Sequence, residues 1–566
     1  MSRSSVTTID SGEPAWWKEA VVYEIYPQSF NDSNGDGIGD IPGIVEKADY
    51  LDELGIDVVW MTPPYDSPHA DNGYDIRDYR SILDAFGDMD DFERLLAELH
   101  DRDIRLILDM VLNHTSDEHE WFQKSRHEED GYEDYYHWVA GDPDQPPNNW
   151  TSGFGGPAWT YDDTRGAWYL HLFHEKQPDL NWRNPDVRQE MHDIVEFWLQ
   201  KGIDGFRFDV FNVMSKPEGY PDGDPDGGWV GMEHFADGPR MHEYIGGLYE
   251  EVLSEYDVMT VGEGMDITPR SAKRYCGPSG DGLNMVYHYD HTMLDYGEDG
   301  WWDIVDWEVS EIRDALTEWV HQLEVTDAWN TVYLGTHDTP RIVSRFGNDD
   351  RYHYESATML GTLLLTFPAT PFCFQGDEIG MTNYPWTSRE EMRDADATNR
   401  VELALEDGRA EEFADVADVV RYRSRDNART PIQWSDGETG GFTDGEPWIP
   451  VNPASEAINV ADQRVRADSV LSYYQDLIEL RHNEDALVYG VYDLLTSDHP
   501  RVWAFERSLG DERLLVALNW AGRTSRINLS DSGEATSVLA CNYDDPGVDL
   551  GSLALGPYEA RVFRLA

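Results

Sequence analysis

Short apolar runs recur along most of the chain, with amphipathic stretches between them. Eight of them read as strands: Ala20–Tyr26, Ile56–Thr62, Ile104–Leu112, Ile203–Asp209, Val258–Glu263, Asn284–His288, Thr331–His337 and Pro371–Gln375. Helical stretches such as Val187–Lys201 and Met241–Tyr256 lie between several of them. Strands alternating with helices in this way predict an α/β fold, a (β/α)8 TIM barrel. In that fold the active site forms at the C-terminal ends of the strands.

Two segments break the alternation. The third strand is followed by an excursion from about Thr115 to Trp182, rich in Trp, Tyr, Gly, Pro and Asn. It reads as an inserted subdomain beside the barrel mouth, where loops carry function. After the eighth strand, Met381–Ala467 is irregular, with an acidic stretch at Glu402–Asp418, and a helix follows at Asp468–His482. From Asp485 the pattern changes to short strands: Leu487–Leu495, Arg501–Arg507, Leu514–Asn519, Ser525–Leu529, Ser537–Ala540 and Ala560–Leu565. That change predicts a small all-β C-terminal domain. The expected organisation is a barrel over 1–114 and 183–484, an insertion over 115–182 and a β domain over 485–566.

Composition narrows the setting. With 40% hydrophobic and 12% aromatic residues, the chain fills a sizeable core and is not disordered. Lys and Arg number 43 against 111 Asp and Glu, a net charge of −68 spread along the whole length. Such a chain repels itself in dilute buffer and is screened at molar salt, where the Debye length is roughly 3 Å. The simplest reading is a halophilic protein of a salt-rich cytoplasm; the alternative is an ordinary acidic protein. Nucleic acid and anionic membranes would be repelled, so neither is expected as a partner. Cys276, Cys373 and Cys541 are widely spaced, without metal-ligand spacing, which fits a cytoplasmic location. Met1 to Ala20 is polar and carries no visible signal peptide, and no apolar run is long enough to span a membrane.

Three carboxylates fall at or just beyond expected strand ends: Asp209, Glu263 and Asp338. Side chains alternate along a strand, so Arg207 and Asp209 point the same way. Glycosidic cleavage needs an ionised carboxylate as nucleophile and a protonated one as general acid. The pattern therefore suggests a site built for sugar chemistry. Arg207 is expected to lower the pKa of Asp209, while burial or a negative neighbour should raise that of Glu263.

Longer motifs carry a resemblance. They are Trp16-Trp17-Lys18, Tyr26-Pro27-Gln28-Ser29-Phe30, Asp71-Asn72-Gly73-Tyr74-Asp75 and Leu112-Asn113-His114-Thr115. Further on come Gln177-Pro178-Asp179-Leu180-Asn181-Trp182, Gly205 to Asp209, Val261-Gly262-Glu263, His337-Asp338 and Ser424 to Pro431. With these the chain resembles the oligosaccharide-cleaving α-glucosidases of the α-amylase superfamily, the oligo-1,6-glucosidase, maltase and trehalulose synthase group. The resemblance implies a retaining exo-α-glucosidase with Asp209 as nucleophile, Glu263 as acid/base and Asp338 as the third acid. It implies a glucose pocket of Asp71, Tyr74, His114, Arg207, His337 and Arg425, with Phe173 and Gln177 as further sugar contacts. Arg421, Arg423 and Arg429 lie near enough in sequence to compete with Arg425 for its role.

Val210 bears on linkage, since Val at that position in similar enzymes accompanies a preference for α-1,6 bonds. A methyl-sized difference is worth roughly 1–3 kcal/mol, so this is a lean. Other readings implied by the resemblance are trehalose-6-phosphate hydrolase, trehalose synthase and dextran glucosidase. From another class comes a non-catalytic amylase-like binding protein, against which the three acids speak. Two departures touch the acceptor site: Thr336 and Thr339 stand where the family usually has Asn and Gln, and Gly153-Phe154 leaves one aromatic wall missing. Arg345 to Asp349 lacks the arginine-rich run of sucrose isomerases.

One loop, Asp32 to Asp40, places oxygen ligands at alternate positions around glycines, as a hard cation requires. Asp32, Asn34, Asp36, Asp40 and the Ile38 carbonyl are the expected ligands of one structural Ca2+ or Mg2+. Gly43 at the twelfth position excludes an EF-hand sensor.

Overall fold

The computed structural model describes residues 14–277, 282–324, 328–544 and 546–566. Most of the polar N-terminal stretch read as lacking a signal peptide lies outside them. Eight parallel strands form the central sheet: β1 (Val22–Ile25), β2 (Val58–Met61), β3 (Arg105–Val111), β4 (Gly205–Asp209), β5 (Met259–Glu263), β6 (Met285–Tyr287), β7 (Thr331–Val332) and β8 (Thr370–Phe374). Pairing runs in chain order from β1 to β6, and β8 joins β7 to β1. Between β6 and β7 side chains complete the barrel. Thr331 Oγ1 donates to the Val286 carbonyl at 2.8 Å, and the Tyr333 hydroxyl to the His288 carbonyl at 2.7 Å.

Alternation along the strands sorts the interior into two layers. Val22, Val58, Trp60, Ile107, Met259, Val261, Met285 and Phe372 pack into one apolar plug. Two residues further along the same strands stand Glu24, Asp109 and Glu263, with Arg207 two beyond Gly205. The polar site therefore sits on a packed floor. Gly205 is required for this: its φ is 151°, and a Cβ there would lie 1.9 Å from the Met259 carbonyl oxygen.

The helix before β4, Pro185–Lys201, shows why the alternation is legible. Asn184 caps its N-terminus, Pro185 opens it, and Gly202 ends it with φ 101°. The insertion carries a three-stranded antiparallel sheet of Trp138–Ala140, Ala167–Leu170 and Trp159–Asp162. At the C-terminus five antiparallel strands follow the order Val491–Leu494, Val502–Leu509, Glu512–Asn519, Ala560–Leu565, Ala535–Cys541. No helix of the described residues is long and apolar enough to cross a membrane.

Two expected strands change. The run Thr331–His337 is strand only over Thr331–Val332. Beyond it Thr339 Oγ1 accepts from the Thr336 N–H at 2.9 Å, curling the chain inward. The expected strand Leu487–Leu495 divides into a helix, Asp485–Tyr489, and a strand, Val491–Leu494, because Ala486 and Leu487 are buried on one face of a short turn that Gly490 ends. A short strand, Leu553–Leu555, was not expected and pairs with Ser525–Ile527.

A buried ion pair ties the insertion to the loop after β4. Lys216 Nζ lies 2.5 Å from Asp179 Oδ2 and donates to Asn113 Oδ1 at 2.6 Å, with no exposure of either charged side chain. Removing one partner of such a pair strands the other charge in a dry site. Lys216→Met is expected to destabilise the protein by about 3–5 kcal/mol, read as a lower thermal midpoint. An unchanged midpoint would show that the insertion is held by other contacts.

Candidate active site

Arg207, 1% exposed, is the centre of the site. One of its terminal nitrogens donates to Asp109 at 2.9 and 3.1 Å and to Asp209 Oδ1 at 2.7 Å. The other lies 2.6 Å from Glu263 Oε1. A single guanidinium thus spans the two carboxyls at the ends of β4 and β5. Glu263 Oε2 accepts the Val210 N–H at 3.0 Å, and Oε1 also accepts the Tyr289 hydroxyl.

The electrostatics differ from the sequence expectation for Asp209. Burial pushes its carboxyl well above the usual range, the charge of Glu263 pushes further, and Arg207 only opposes them. Arg207 fails to win because Asp109 and Glu263 share it. Asp109 is also raised by burial, against the pull of Arg207 and His337.

A second centre forms around His337. Its Nδ1 lies 2.5 Å from Glu24, and its Nε2 lies 2.8 Å from the Tyr74 hydroxyl and 3.3 Å from Asp338. Tyr74 stacks on the imidazole and donates to Asp109 at 2.8 Å, linking the two centres. Burial alone would lower the His337 pKa, but Asp338 and Glu24 outweigh it and push it up to about 10. Burial likewise favours a proton on Asp338, yet His337, Arg425 and Arg429 hold its carboxyl well below the ordinary range.

The far end is closed by Arg425, which donates to Asp338 at 3.1 Å, to Asp71 at 3.4 Å and to Asp394 at 2.6 Å. The competing arginines separate clearly. Arg421 turns to Asp418 and the Trp386 carbonyl, and Arg423 turns to Asp295. Arg429 joins the site and donates to Asp338 at 2.8 Å. Gln177 donates to Asp71 at 3.0 Å and lies 3.1 Å from His114 Nε2. Burial pushes Asp71 up to about 6 against Arg425, and pushes His114 down to about 4, so the imidazole is neutral near pH 7.

Phe173 packs on His114, on Phe154 and on Trp229, with ring centroids 5.3, 5.8 and 5.7 Å apart. Phe154 also lies under the Arg425 guanidinium at 5.0 Å. The wall expected to be missing at Gly153 is occupied from elsewhere. A Cβ at Gly153 would meet the Trp229 indole at 3.3 Å, so the absent side chain makes room for a ring from the loop after β4. Val210 is buried, and its backbone is left-handed, with φ 35°. For a β-branched residue that conformation is strained, at a cost of about 1–3 kcal/mol.

The structure brings Asp71, Tyr74, His114, Phe173, Gln177, Arg207, Asp209, Val210, Glu263, His337, Asp338 and Arg425 into one connected cluster. Sequence reasoning missed Glu24, Asp109, Tyr289 and Asp394, and held Arg429 only as a competitor for the role of Arg425. The loop of Asp32, Asn34, Asp36, Ile38 and Asp40 is separate. Asp32 accepts the N–H groups of Asn34, Gly35 and Gly37, and Asp36 accepts that of Ile38. Asp40 accepts from Ser33, Asn34 and Gly43. Gly43 is needed because a Cβ there would lie 2.0 Å from the Asn31 carbonyl oxygen. Among the described residues no three acidic, His or Cys side chains converge as a ready-made metal cluster.

Residues 24–490 match the alpha amylase catalytic domain, and residues 502–562 match the C-terminal domain of the alpha-amylase SusG. The chain belongs to the alpha-amylase family and is a glycoside hydrolase. An oligo-1,6-glucosidase of Parageobacillus thermoglucosidasius is 49% identical over 560 residues, covering 98% of this chain and 99% of that one. A trehalose-6-phosphate hydrolase of Bacillus subtilis (strain 168) is 41% identical, covering 97% and 98%. The crystal structure of an isomaltulose synthase from Klebsiella sp. LX3 superposes with a TM-score of 0.94 at 42% identity, covering 98% and 100%.

The raised His337 sets a pH window. A histidine held at about 10, against about 6.5 unfolded, gives its full stabilisation below pH 6.5 and loses it as pH rises through 10. Glu24→Gln removes one counter-charge, so the alkaline edge of stability should move down. Thermal midpoints between pH 7 and 10 test this, and parallel curves for both proteins would refute it.

Proposed function

We propose that the chain is a retaining, exo-acting α-glucosidase that releases terminal glucose from short α-glucosides, with α-1,6 bonds preferred. The observation that carries this reading is the Arg207 fork bonded to both Asp209 and Glu263. Retaining enzymes hold their two carboxyls about 5–5.5 Å apart, whereas inverting ones leave room for a water between them. One guanidinium reaching both favours the short spacing.

Burial and the like charge of Glu263 both favour a proton on Asp209, against the pull of Arg207. Cleavage requires the proton on Glu263 and the charge on Asp209. Positive charge developing at the anomeric carbon beside Asp209 favours that placement. Glu263 then protonates the glycosidic oxygen as Asp209 bonds the sugar carbon, and Glu263 afterwards takes a proton from the attacking water. Another sugar in place of that water gives transglycosylation. Asp338, ionised between His337, Arg425 and Arg429, is poised to accept hydroxyl hydrogen bonds. Asp71 and Arg425 block the far end, which supports attack at a chain terminus.

Glucose release from isomaltose, maltose and trehalose 6-phosphate tests the reading. Isomaltose should rank first, and Asp209→Asn should lose at least about 10^3-fold in rate. Val210→Ala should narrow the isomaltose preference by about tenfold. Cleavage of trehalose 6-phosphate alone would assign the phosphorylated substrate instead.

We also propose that the Asp32–Asp40 loop holds one structural Ca2+ or Mg2+, and that the protein works in a salt-rich cytoplasm. The donor set fits a hard cation, since Asp32 and Asp40 are both buried and the charge of Asp32 adds to burial in raising Asp40. One thermal series separates the two ideas. A chelator at constant 3 M salt should lower the midpoint only if the loop is loaded, and removal of salt at constant Ca2+ should lower it only if surface repulsion is being screened. An unchanged midpoint in either arm refutes the corresponding idea.

A further inference from the structure

The Tyr289 hydroxyl bonds Glu263 Oε1 from the loop after β6. Glu263 has two other donors, the Val210 N–H on Oε2 and Arg207 on Oε1. Both come from β4 or the turn that follows it, the nucleophile's side of the site. Neither can reverse its role, because an amide N–H and a guanidinium only donate. A phenol donates to a carboxylate and accepts from a carboxylic acid. The groups that face Glu263 are thus Arg207 and Asp209 from β4, Tyr287 and Tyr289 at the end of β6, and Tyr333 beyond β7. Among them Tyr289 bonds the reacting carboxyl and is able to follow it through both protonation states.

We propose that Tyr289 is a positioning residue for the reaction, holding the Glu263 carboxyl in place while it alternates between acid and base. This rests on the α-glucosidase reading above. The backbone supports the assignment. The Thr292 N–H and hydroxyl both donate to the Tyr289 carbonyl at 2.9 Å, which pins the turn that carries the ring. The Trp319 indole donates to the neighbouring Asp290 at 2.6 Å. The hydroxyl is therefore delivered by a fixed turn.

The test is Tyr289→Phe, which keeps the ring and removes the hydroxyl. Rates are compared on isomaltose and on 4-nitrophenyl α-glucoside, whose leaving group needs little help from an acid. The variant should lose about tenfold in kcat/KM on isomaltose and much less on the aryl glucoside. A donor to the carboxylate favours its ionised form, so its loss should move the alkaline limb of kcat/KM up by about half to one pH unit. Equal losses on both substrates with an unmoved limb would overturn the proposal and leave Tyr289 a packing residue. A ring-difluorinated tyrosine at 289, a stronger donor, should move the limb down, which keeps the proposal falsifiable if Tyr289→Phe folds poorly. Wild-type protein inactive on both glucosides would instead sink the α-glucosidase reading itself.

Discussion

The site depends on one buried cation shared by too many anions. Arg207 touches Asp109, Asp209 and Glu263, and burial denies all of them water. One positive charge cannot balance three negative ones in a medium of low polarity, so protons must remain on the cluster. Asp109 and Asp209 both respond by rising. Burial and the shortage of positive charge together therefore raise the proton affinity of Asp109 and Asp209. A second cation such as Lys in place of Tyr74 would lower that affinity and ionise the cluster.

The neighbouring centre solves the opposite problem. Asp338 is surrounded by His337, Arg425 and Arg429, and remains charged although buried on most sides. Tyr74 joins the two centres through Asp109 and His337 without carrying charge between them. Two carboxylates of similar chemistry are thus set to different states by how many cations each can claim. The register of β3, β4 and β5 fixes those claims, since Asp109 pairs with Arg207 across β3 and β4, and Val261 with Arg207 across β4 and β5.

Residues on strands were the legible ones. Alternation in Gly205–Asp209 placed Arg207 and Asp209 together, and the eight apolar runs located the barrel. The same logic would have reached two of the missed residues: Glu24 and Asp109 are single acids inside otherwise apolar runs, a signal of a polar layer on the plug. Tyr289 and Asp394 gave no such signal, because loops without a period deliver them. Trp229 was equally hidden. It reaches Gly153 from a segment 76 positions away, and only the fold shows that a missing side chain and a distant ring fill the same space. β7 was overestimated because β-rich composition continued past the point where a threonine turn bent the chain away. The charge of −68 spoke to solvent and gave no information about the interior, where Arg207, Arg425 and Arg429 are paired with buried carboxylates.

Val210 joins two properties that are usually varied separately. Its side chain stands in the apolar cluster with Phe173, Trp229 and Met265, while its strained peptide holds the acid/base carboxyl. A substitution that reshapes the acceptor side also changes how readily that peptide adopts its left-handed turn. Glycine would relax the turn and asparagine would tolerate it, but both would open the wall. Small β-carbon changes would trim the wall and leave the strain. Divergence toward a new linkage at this position is consequently channelled: few residues alter selectivity without also retuning the proton donor, so substrate range and turnover are inherited together.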